Sequence, residues 1–228
     1  MNEIFADNMF FGGAITLIVC MIGALLKKKL KWMNILIFAV VVLIIILKVF
    51  GISYETYNNG AKYITYLLTP VTVVLAVPLY RQLTILKNNA KEILIGIFAG
   101  VISNMAGVFG LALLFGLSHE EYATLLPKSV TTAIGMGISE EFGGIVTITI
   151  AVIMITGMIG NVFGELILKM FRVRNPIAKG VAIGTCSHAF GTMKALEIGE
   201  VEGAMSSLSV VVAGLMTVIT VSLFANLI

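Results

Sequence analysis

The sequence predicts an all-α polytopic membrane protein, with about six full transmembrane helices plus two re-entrant or broken half-helices in a transporter-like arrangement. Two observations predict this class. Hydrophobic residues make up 59% of the 228 residues and charged residues only 12%, whereas a soluble domain carries about 25% charged residues. Long apolar stretches recur along the chain, without the short alternating segments of a transmembrane barrel.

Six stretches are apolar and long enough to cross the hydrocarbon layer, which takes about 20 residues of helix. They lie near residues 9–26, 33–50, 61–80, 93–116, 146–168 and 203–226. We expect residues 1–60 to form peripheral transmembrane helices that serve as a scaffold or dimerisation unit. Residues 61–228 are expected to form a transport-like core. The first residues carry acidic but no basic side chains before the first apolar run, so we expect no cleavable signal.

Basic residues predict the orientation of the chain. Most lysines and arginines fall in three connections, at residues 27–31, 81–91 and 169–179, and the positive-inside bias places all three in the cytoplasm. The N-terminus is then outside. Because only two full spans separate the second and third connections, the small-residue stretch near 127–143 is expected to enter from outside and return, or else to be paired with a further crossing that the sequence does not reveal. By analogy, 178–196 is expected to enter from the cytoplasmic side.

The first candidate site follows Pro127, which suits the first turn of a helix and is expected to start a half-helix there. Lys128 adds a positive charge, and Ser129, Thr131 and Thr132 add hydroxyl donors near the free amides of that helix start. This combination suits a bound carboxylate. The alternative is that Lys128 extends to the lipid headgroups and the hydroxyls bond to their own helix.

The second candidate site is centred on His188, the histidine that lies in an apolar stretch. An ionisable residue inside the membrane is costly and indicates function, and histidine titrates near neutral pH. We expect His188 to carry a proton, with Thr185, Ser187 and Thr192 beside it at the substrate. The alternative is a buried histidine that only hydrogen-bonds to a neighbouring helix.

Two buried amides are expected inside the bundle, at Asn104 and Asn161, either pairing helices or contacting substrate. Glycines also recur at a spacing of four, which indicates close helix packing within the chain or a dimerisation face; these are Gly96 and Gly100, Gly160 and Gly164, and Gly180 and Gly184.

Several classes of function are not expected. Both cysteines lie in apolar stretches, which favours buried thiols over a disulfide or a metal site, and we expect no metal and no cofactor. The serine, histidine and acidic residues lack the spacing of hydrolase or metalloprotease motifs, so we do not expect an enzyme. Nucleic acid is not an expected partner, because membrane topology already explains the basic clusters.

Three segments resemble the LrgB/CidB family in order and spacing. They are TPVTVVLAVPLYRQL at 69–83, PKSVTTAIGMGISEEFGGI at 127–145 and GVAIGTCSHAFGTMKALEIGEVEGAMSSLS at 180–209. The resemblance covers most of the chain. It implies a multi-pass protein of the bacterial plasma membrane.

The resemblance implies two different functions. Similar plastid proteins carry glycolate and glycerate, and converging half-helices favour transport, so our first hypothesis is a proton-coupled transporter of small monocarboxylates of the glycolate, glycerate, lactate or pyruvate type. The alternative is an antiholin-like or holin-like subunit that modulates murein hydrolase activity and lysis. The expected partners are the lipid bilayer, a small anionic substrate, a smaller membrane protein of the LrgA/CidA type, and a second copy in a homo-oligomer such as a dimer.

Overall fold

The computed structural model describes residues 10–30, 33, 35–67, 70, 73, 74 and 76–228. In this part of the chain every element of regular structure is a helix. The helices are α1 (Phe11–Lys29), α2 (Ile35–Val49), α3 (Tyr54–Thr65), α4 (Ala76–Arg81), α5 (Leu83–Asn88), α6 (Ala90–Phe115), α7 (His119–Leu125), α8 (Thr132–Glu141), α9 (Val146–Met170), α10 (Pro176–Ile198) and α11 (Glu200–Ala225). Contacts divide the chain into two compact units, and the boundary in the sequence lies between residues 74 and 75.

Four of the described helices are long and apolar enough to cross a membrane, namely α1, α6, α9 and α11. They confirm the predicted spans near 9–26, 93–116, 146–168 and 203–226, and with them the all-α membrane class. Helix α2 is apolar but has only 15 residues. The predicted span 61–80 is not one helix in the described residues, because α3 ends at Thr65 and α4 begins at Ala76; residues 68, 69, 71, 72 and 75 lie outside the description.

The first unit is built on close packing at two glycines of α1. A Cβ atom at Gly12 would overlap the backbone of Tyr57 in α3, and one at Gly23 would lie 3.0 Å from the Phe38 ring in α2. The hydroxyls of Thr16 and Tyr57 are 2.8 Å apart. Helix α3 packs against α1 and so belongs to this unit. The predicted boundary at residue 60 lies within α3, which spans Tyr54–Thr65. The scaffold and core roles stay predictions.

Three long helices, α6, α9 and α11, frame the second unit. Helix α6 buries one stripe of side chains at a spacing of three or four residues, which is the period of a helix face. The stripe consists of Ile93, Ile97, Val101, Met105, Val108 and Ala112. It packs with Met205 and Ala213 of α11 in the main apolar core, and the opposite face of α6 is exposed.

Helices α7 and α8 form a hairpin between α6 and α9. The chain turns over residues 126–130, and the Nε2 atom of His119 at the start of α7 lies 3.1 Å from the Phe142 carbonyl after the end of α8. The two limbs therefore run in opposite directions. The short helix predicted near 127–143 is confirmed, but the prediction that it starts at Pro127 is wrong. Pro127 lies in the turn, and the extended backbone of Thr131 caps a helix that starts at Thr132.

Helix α10 is a second hairpin, broken at His188, whose φ of 41° and ψ of −138° are not helical. A Cβ atom at Gly191 would lie 2.8 Å from Ile183 Cγ2, although eight residues of continuous helix span about 12 Å. The second limb, residues 189–198, therefore folds back along the first limb, residues 176–187. This confirms the predicted broken element near 178–196; entry from the cytoplasmic side of the membrane stays a prediction.

The two hairpins enter the unit from opposite ends. In the first limb of α10, Gly180 meets Glu202 and Gly184 meets Ser206 in α11; in the second limb, Leu196 contacts Gly203. The tip of α10 thus points away from the start of α11. The α7–α8 hairpin lies at the other end, where the Tyr122 hydroxyl donates to the Phe224 carbonyl near the end of α11.

Candidate functional site

The tips of the two hairpins meet around Ile153 of α9. A Cβ atom at Gly135, in the first turn of α8, would overlap the Ile153 side chain. The Nε2 atom of His188 lies 3.1 Å from the Ile153 carbonyl oxygen. Lys128 in the α7–α8 turn and Cys186 in α10 also lie near each other. Both candidate sites from the sequence are therefore one site.

Lys128 heads a short chain of hydrogen bonds at the α7–α8 tip. Its Nζ donates to Ser129 Oγ at 3.2 Å, and Ser129 Oγ donates to Asn104 Oδ1 of α6 at 3.1 Å. Of the two roles left open for Asn104, the helix-pairing contact is present. None of the ion pairs among the described residues includes Lys128. A carboxylate-binding role for Lys128 stays a prediction.

Thr131 and Thr132 bring the start of α8 to the same tip. Thr131 occupies the capping position with φ −63° and ψ 147°, but its side chain makes no capping hydrogen bond. The first amides of a helix have no partner within the helix and carry a partial positive charge. The predicted helix start is therefore at the site, although it lies five residues later than expected.

His188 is almost fully buried and is held on several sides. Besides the Ile153 carbonyl, its Cε1 atom would lie 2.7 Å from a Cβ atom at Gly157 of α9, and its ring meets the edge of Phe190 at a centroid distance of 5.6 Å. The hydrogen bond to a neighbouring helix, stated above as the alternative, is present. The strained backbone at the break points to a functional role as well, and proton transfer stays a prediction.

Polar side chains hold the second limb of α10 in place. Asn161 of α9 donates from Nδ2 to the Phe190 carbonyl at 2.7 Å. Thr192 Oγ1 donates to the His188 carbonyl at 3.0 Å and lies 2.8 Å from Ser206 Oγ of α11. Asn161 and Thr192 therefore fix the shape of the break, so Asn161 makes the helix-pairing contact that was one of its two predicted roles.

The other two predicted residues lie on the first limb of α10. Ser187 is buried so closely against Gly160 of α9 that a Cβ atom there would overlap the serine hydroxyl. Thr185 is 5% exposed, and its Oγ1 has no hydrogen-bond partner within the described part of the chain. The glycines Gly157 and Gly160 were missed as site residues, although Gly160 belongs to a pair whose spacing indicated close packing.

Ion pairs connect the C-terminal end of the second limb to α9. Lys194 Nζ lies 2.9 Å from Glu165 of α9 and 3.5 Å from Glu197, and Glu165 also pairs with Lys169 at 2.7 Å. At the start of the first limb, Lys179 lies 3.9 Å from a carboxylate oxygen of α11. These charges sit at the base of the hairpin and not at its tip.

Residues 16–227 match the sequence profile of the LrgB-like family. The chain belongs to this family. Proteins named antiholin-like protein LrgB, from two strains of Bacillus cereus and from Bacillus anthracis, are 41% identical over 218 residues, which cover 94% of this chain and 95% of each relative. No solved structure matches the chain. The resemblance seen in three segments thus extends along almost the whole of this LrgB-family membrane protein.

Proposed function

We propose that this LrgB-family chain is an antiholin-like membrane protein that restrains murein hydrolase activity and lysis together with a smaller membrane protein of the LrgA/CidA type. The supporting observation is the 41% identity, over 94% of the chain, to proteins that carry the antiholin-like name. It favours the alternative from the sequence over the transporter, because the relatives described above are named as antiholin-like proteins and not for a substrate.

A deletion strain tests this function. In a bacterium that encodes the chain, removal of the gene is expected to speed detergent-induced autolysis and to strengthen murein hydrolase bands in cell-wall gels. Expression of the chain from a plasmid should restore the slow lysis. Unchanged lysis in the deletion strain, with the smaller partner still present, would contradict the proposal.

A second function, transport of small monocarboxylates, is favoured by one specific observation in the geometry. The start of α8 and the start of the second limb of α10 lie at the same site, with Ile153 between them. Half-helices whose N-terminal ends converge inside the membrane are a means of binding anionic substrates in transporters. An antiholin that acted only by assembling with a partner has no evident need for this arrangement.

In this proposal the carboxylate binds at the α7–α8 tip and the proton at the break. Lys128 supplies the charge, and Ser129, Thr131 and Thr132 supply hydroxyls and amides. His188 is the titrating group, held by the Ile153 carbonyl. Thr185, Ser187 and Thr192 lie within the same broken segment, so a substrate at the tip is within reach of both hairpins. The orientation with the N-terminus outside belongs to the same proposal.

Uptake of radiolabelled pyruvate, lactate or glycolate into proteoliposomes tests transport. Lys128→Met is expected to lower uptake at least about tenfold, since a charge-assisted hydrogen bond contributes about 1.5–3 kcal/mol and 1.4 kcal/mol is a factor of ten. Lys169→Met is the matched control, because Lys169 is an exposed lysine paired at the end of α9. Equal losses in both variants, or no uptake by the unaltered chain with its partner present, would contradict transport.

The proton role is tested separately at His188. His188→Asn keeps a polar side chain of a residue type that tolerates positive φ, but it does not titrate. His188→Ala removes the polar group as well. Both variants are expected to flatten the dependence of uptake on pH between about 5 and 8, the range in which histidine titrates. A full pH response in folded variants would exclude His188 as the proton carrier.

The Lys128→Met variant also tests whether restraint of lysis depends on transport. If restraint of lysis depends on transport, the variant should fail to slow lysis in the deletion strain while Lys169→Met succeeds. If Lys128→Met slows lysis as well as the unaltered chain, the antiholin-like function does not depend on transport at this site.

A further inference from the structure

One histidine side chain closes the base of the α7–α8 hairpin by contacting two oxygens. His119 is the first residue of α7, and its Nδ1 atom lies 2.6 Å from the main-chain oxygen of Ile228. Its Nε2 atom lies 3.1 Å from the carbonyl oxygen of Phe142, just after the end of α8. A single ring therefore connects the start of α7, the end of α8 and the residues that follow α11.

Both atoms that the His119 ring contacts are hydrogen-bond acceptors. Phe142 contributes a carbonyl oxygen, and the Ile228 oxygen accepts whether it belongs to a carbonyl or to a carboxylate group. A neutral imidazole has one N–H, so in either tautomer it can donate to only one of the two oxygens. The other oxygen then faces a nitrogen lone pair. Only the doubly protonated ring donates to both, and the short distance to Ile228 is of the kind that charged donors make.

A second contact ties the same part of the hairpin to α11 without depending on protonation near neutral pH. Tyr122, three residues after His119, donates from its hydroxyl to the Phe224 carbonyl at 2.9 Å. A tyrosine hydroxyl titrates at about pH 10, far above the range of histidine. The hairpin is therefore tied to the end of α11 by one contact that responds to pH near neutrality and by one that does not.

The other titratable side chains on the elements that meet His119 are all glutamates. They are Glu120 and Glu121 in α7 and Glu140 and Glu141 at the end of α8. Residues 218–228, which include the end of α11, contain no titratable side chain. Glutamate ordinarily titrates at about pH 4.3. A change between about pH 8 and 5.5 therefore acts on the base of the hairpin through the histidine.

We propose that His119 is a pH-sensitive latch, which ties the base of the α7–α8 hairpin to the end of α11 when the ring is doubly protonated and loosens when the ring is neutral. The hairpin tip carries Lys128 and Ser129, so the latch sets how firmly the tip is held. The proposal does not depend on whether the chain restrains lysis or carries a substrate. Under the predicted orientation, this end of the unit faces the outside of the cell, so the latch responds to external pH.

Hydrogen exchange of the unaltered full chain in detergent, followed by mass spectrometry, tests the latch directly. Exchange is measured at about pH 8 and about pH 5.5, and each rate is compared with the intrinsic rate of an unfolded amide at the same pH. We expect the amides of α7 and α8 to be protected at least about threefold more strongly at the lower pH, because both hydrogen bonds of the ring then form. Amides of α1, in the other unit, are the internal reference and should be protected equally at both pH values.

Substitutions at the same end of the hairpin provide matched controls. His119→Gln keeps a polar side chain that does not titrate, so it should remove the difference in protection between the two pH values. Tyr122→Phe removes the other contact with α11 but keeps a ring to pack against Phe109. It should lower protection at both pH values and keep the difference between them. His188→Asn removes the only other histidine of the sequence and should also keep that difference.

Two results would overturn the latch. The first is equal protection of α7 and α8 at both pH values in the unaltered chain. The second is the full difference between pH values in folded His119→Gln. If His119→Gln does not fold, His188→Asn decides, because His119 is then the one histidine left: a retained difference would support the latch and a lost difference would overturn it. None of these results depends on lysis or on uptake, so the latch can fail while either proposed function stands.

Discussion

The two hairpins that meet at the site are held in different ways. The α7–α8 hairpin is fixed by directional hydrogen bonds between buried hydroxyls. Thr149 Oγ1 of α9 lies 2.9 Å from the Thr124 carbonyl oxygen, to which it can donate, and 2.7 Å from Ser139 Oγ, from which it can accept, and Thr124 Oγ1 accepts from the Ile145 amide at 2.7 Å. The first limb of α10 instead lies against α11 through glycines whose neighbours include backbone atoms, and hydrogen bonds from Asn161 and Thr192 hold the second limb.

The two hairpins therefore differ in whether their buried hydroxyls have hydrogen-bond partners. Hydroxyls in the first network already have protein partners, so it contributes stability and specifies one arrangement. The glycine contacts are not directional and leave the Thr185 hydroxyl without a partner among the described residues. The α10 hairpin is therefore the part of the site with a free donor, and a ligand is expected to alter it more than the α7–α8 hairpin.

The largest expected effect tests the glycine contacts. In Gly184→Ala the new methyl group would overlap the Ser206 carbonyl oxygen, and since backbone atoms cannot rotate away, we expect a loss of about 3 kcal/mol in the free energy of unfolding. The measurement is unfolding in sodium dodecyl sulfate followed by circular dichroism.

Gly107→Ala is the control for helix propensity, because its added methyl group meets nothing within 4 Å and alanine stabilises a helix interior relative to glycine. It should be neutral or slightly stabilising. Equal stability of the two variants would show that close backbone packing does not hold the α10 hairpin.

A smaller effect is expected at the hydroxyl network. Thr149→Val keeps the shape of the side chain but leaves the Ser139 hydroxyl and the Thr124 carbonyl without this hydrogen-bond partner, at a cost of about 1.5 kcal/mol. Thr149→Ser keeps the hydroxyl and should lose less than half as much. If both variants lose the same amount, packing and not hydrogen bonding stabilises the α7–α8 hairpin, and the contrast between the hairpins fails.

Much of this fold was predictable from the sequence because membrane spans are long and apolar. The positions of the basic residues predicted that 127–143 turns back, and the α7–α8 hairpin does so; the side of the membrane from which it enters stays a prediction. The prediction missed α7 as the incoming limb, because seven residues that carry two glutamates and a histidine have no apolar period. It also misplaced the start of α8, since Pro127 suits a tight turn as well as a first helical turn.

The site was predictable as a set of residue types but not as a set of contacts. His188 was chosen because an ionisable residue is costly in the membrane, and Lys128 because it adds a positive charge near a helix start; both lie at the tips. The partners of His188, Ile153 and Gly157, were not predictable, because an apolar residue and a glycine in a long apolar helix carry no signal of what they touch. Backbone carbonyls that accept hydrogen bonds are invisible in a sequence.

The ion pair at the base of α10 is expected to have a modest effect. Lys194 pairs with Glu165 at 2.9 Å, but the two side chains are 23% and 34% exposed, so Lys194→Met should cost only about 0.5 kcal/mol, less at high salt. Lys169→Met, which removes a lysine that is 73% exposed, should cost still less. A loss as large as that of Gly184→Ala would mean that charge, and not close packing, holds this hairpin.

The smallest expected effect is a dependence on pH that arises at the start of the α7–α8 hairpin. Glu121 accepts hydrogen bonds from the Ser118 amide and hydroxyl at 2.8 and 3.0 Å, and these bonds lower the pKa of its carboxyl group. A group whose pKa is lower in the folded protein stabilises the fold above its unfolded pKa, and this contribution disappears as pH falls through the folded pKa.

Between pH 7 and 3 the unaltered chain should therefore lose slightly more stability than Glu121→Gln, as measured by the sodium dodecyl sulfate midpoint at each pH. Glu120→Gln, which removes a neighbouring carboxylate outside the capping box, is the control and should follow the unaltered chain. If Glu121→Gln and the unaltered chain lose stability in parallel, the capping box does not fix the incoming limb. The first hydrogen bonds of the hydroxyl network that stabilises this hairpin would then be those of Thr124.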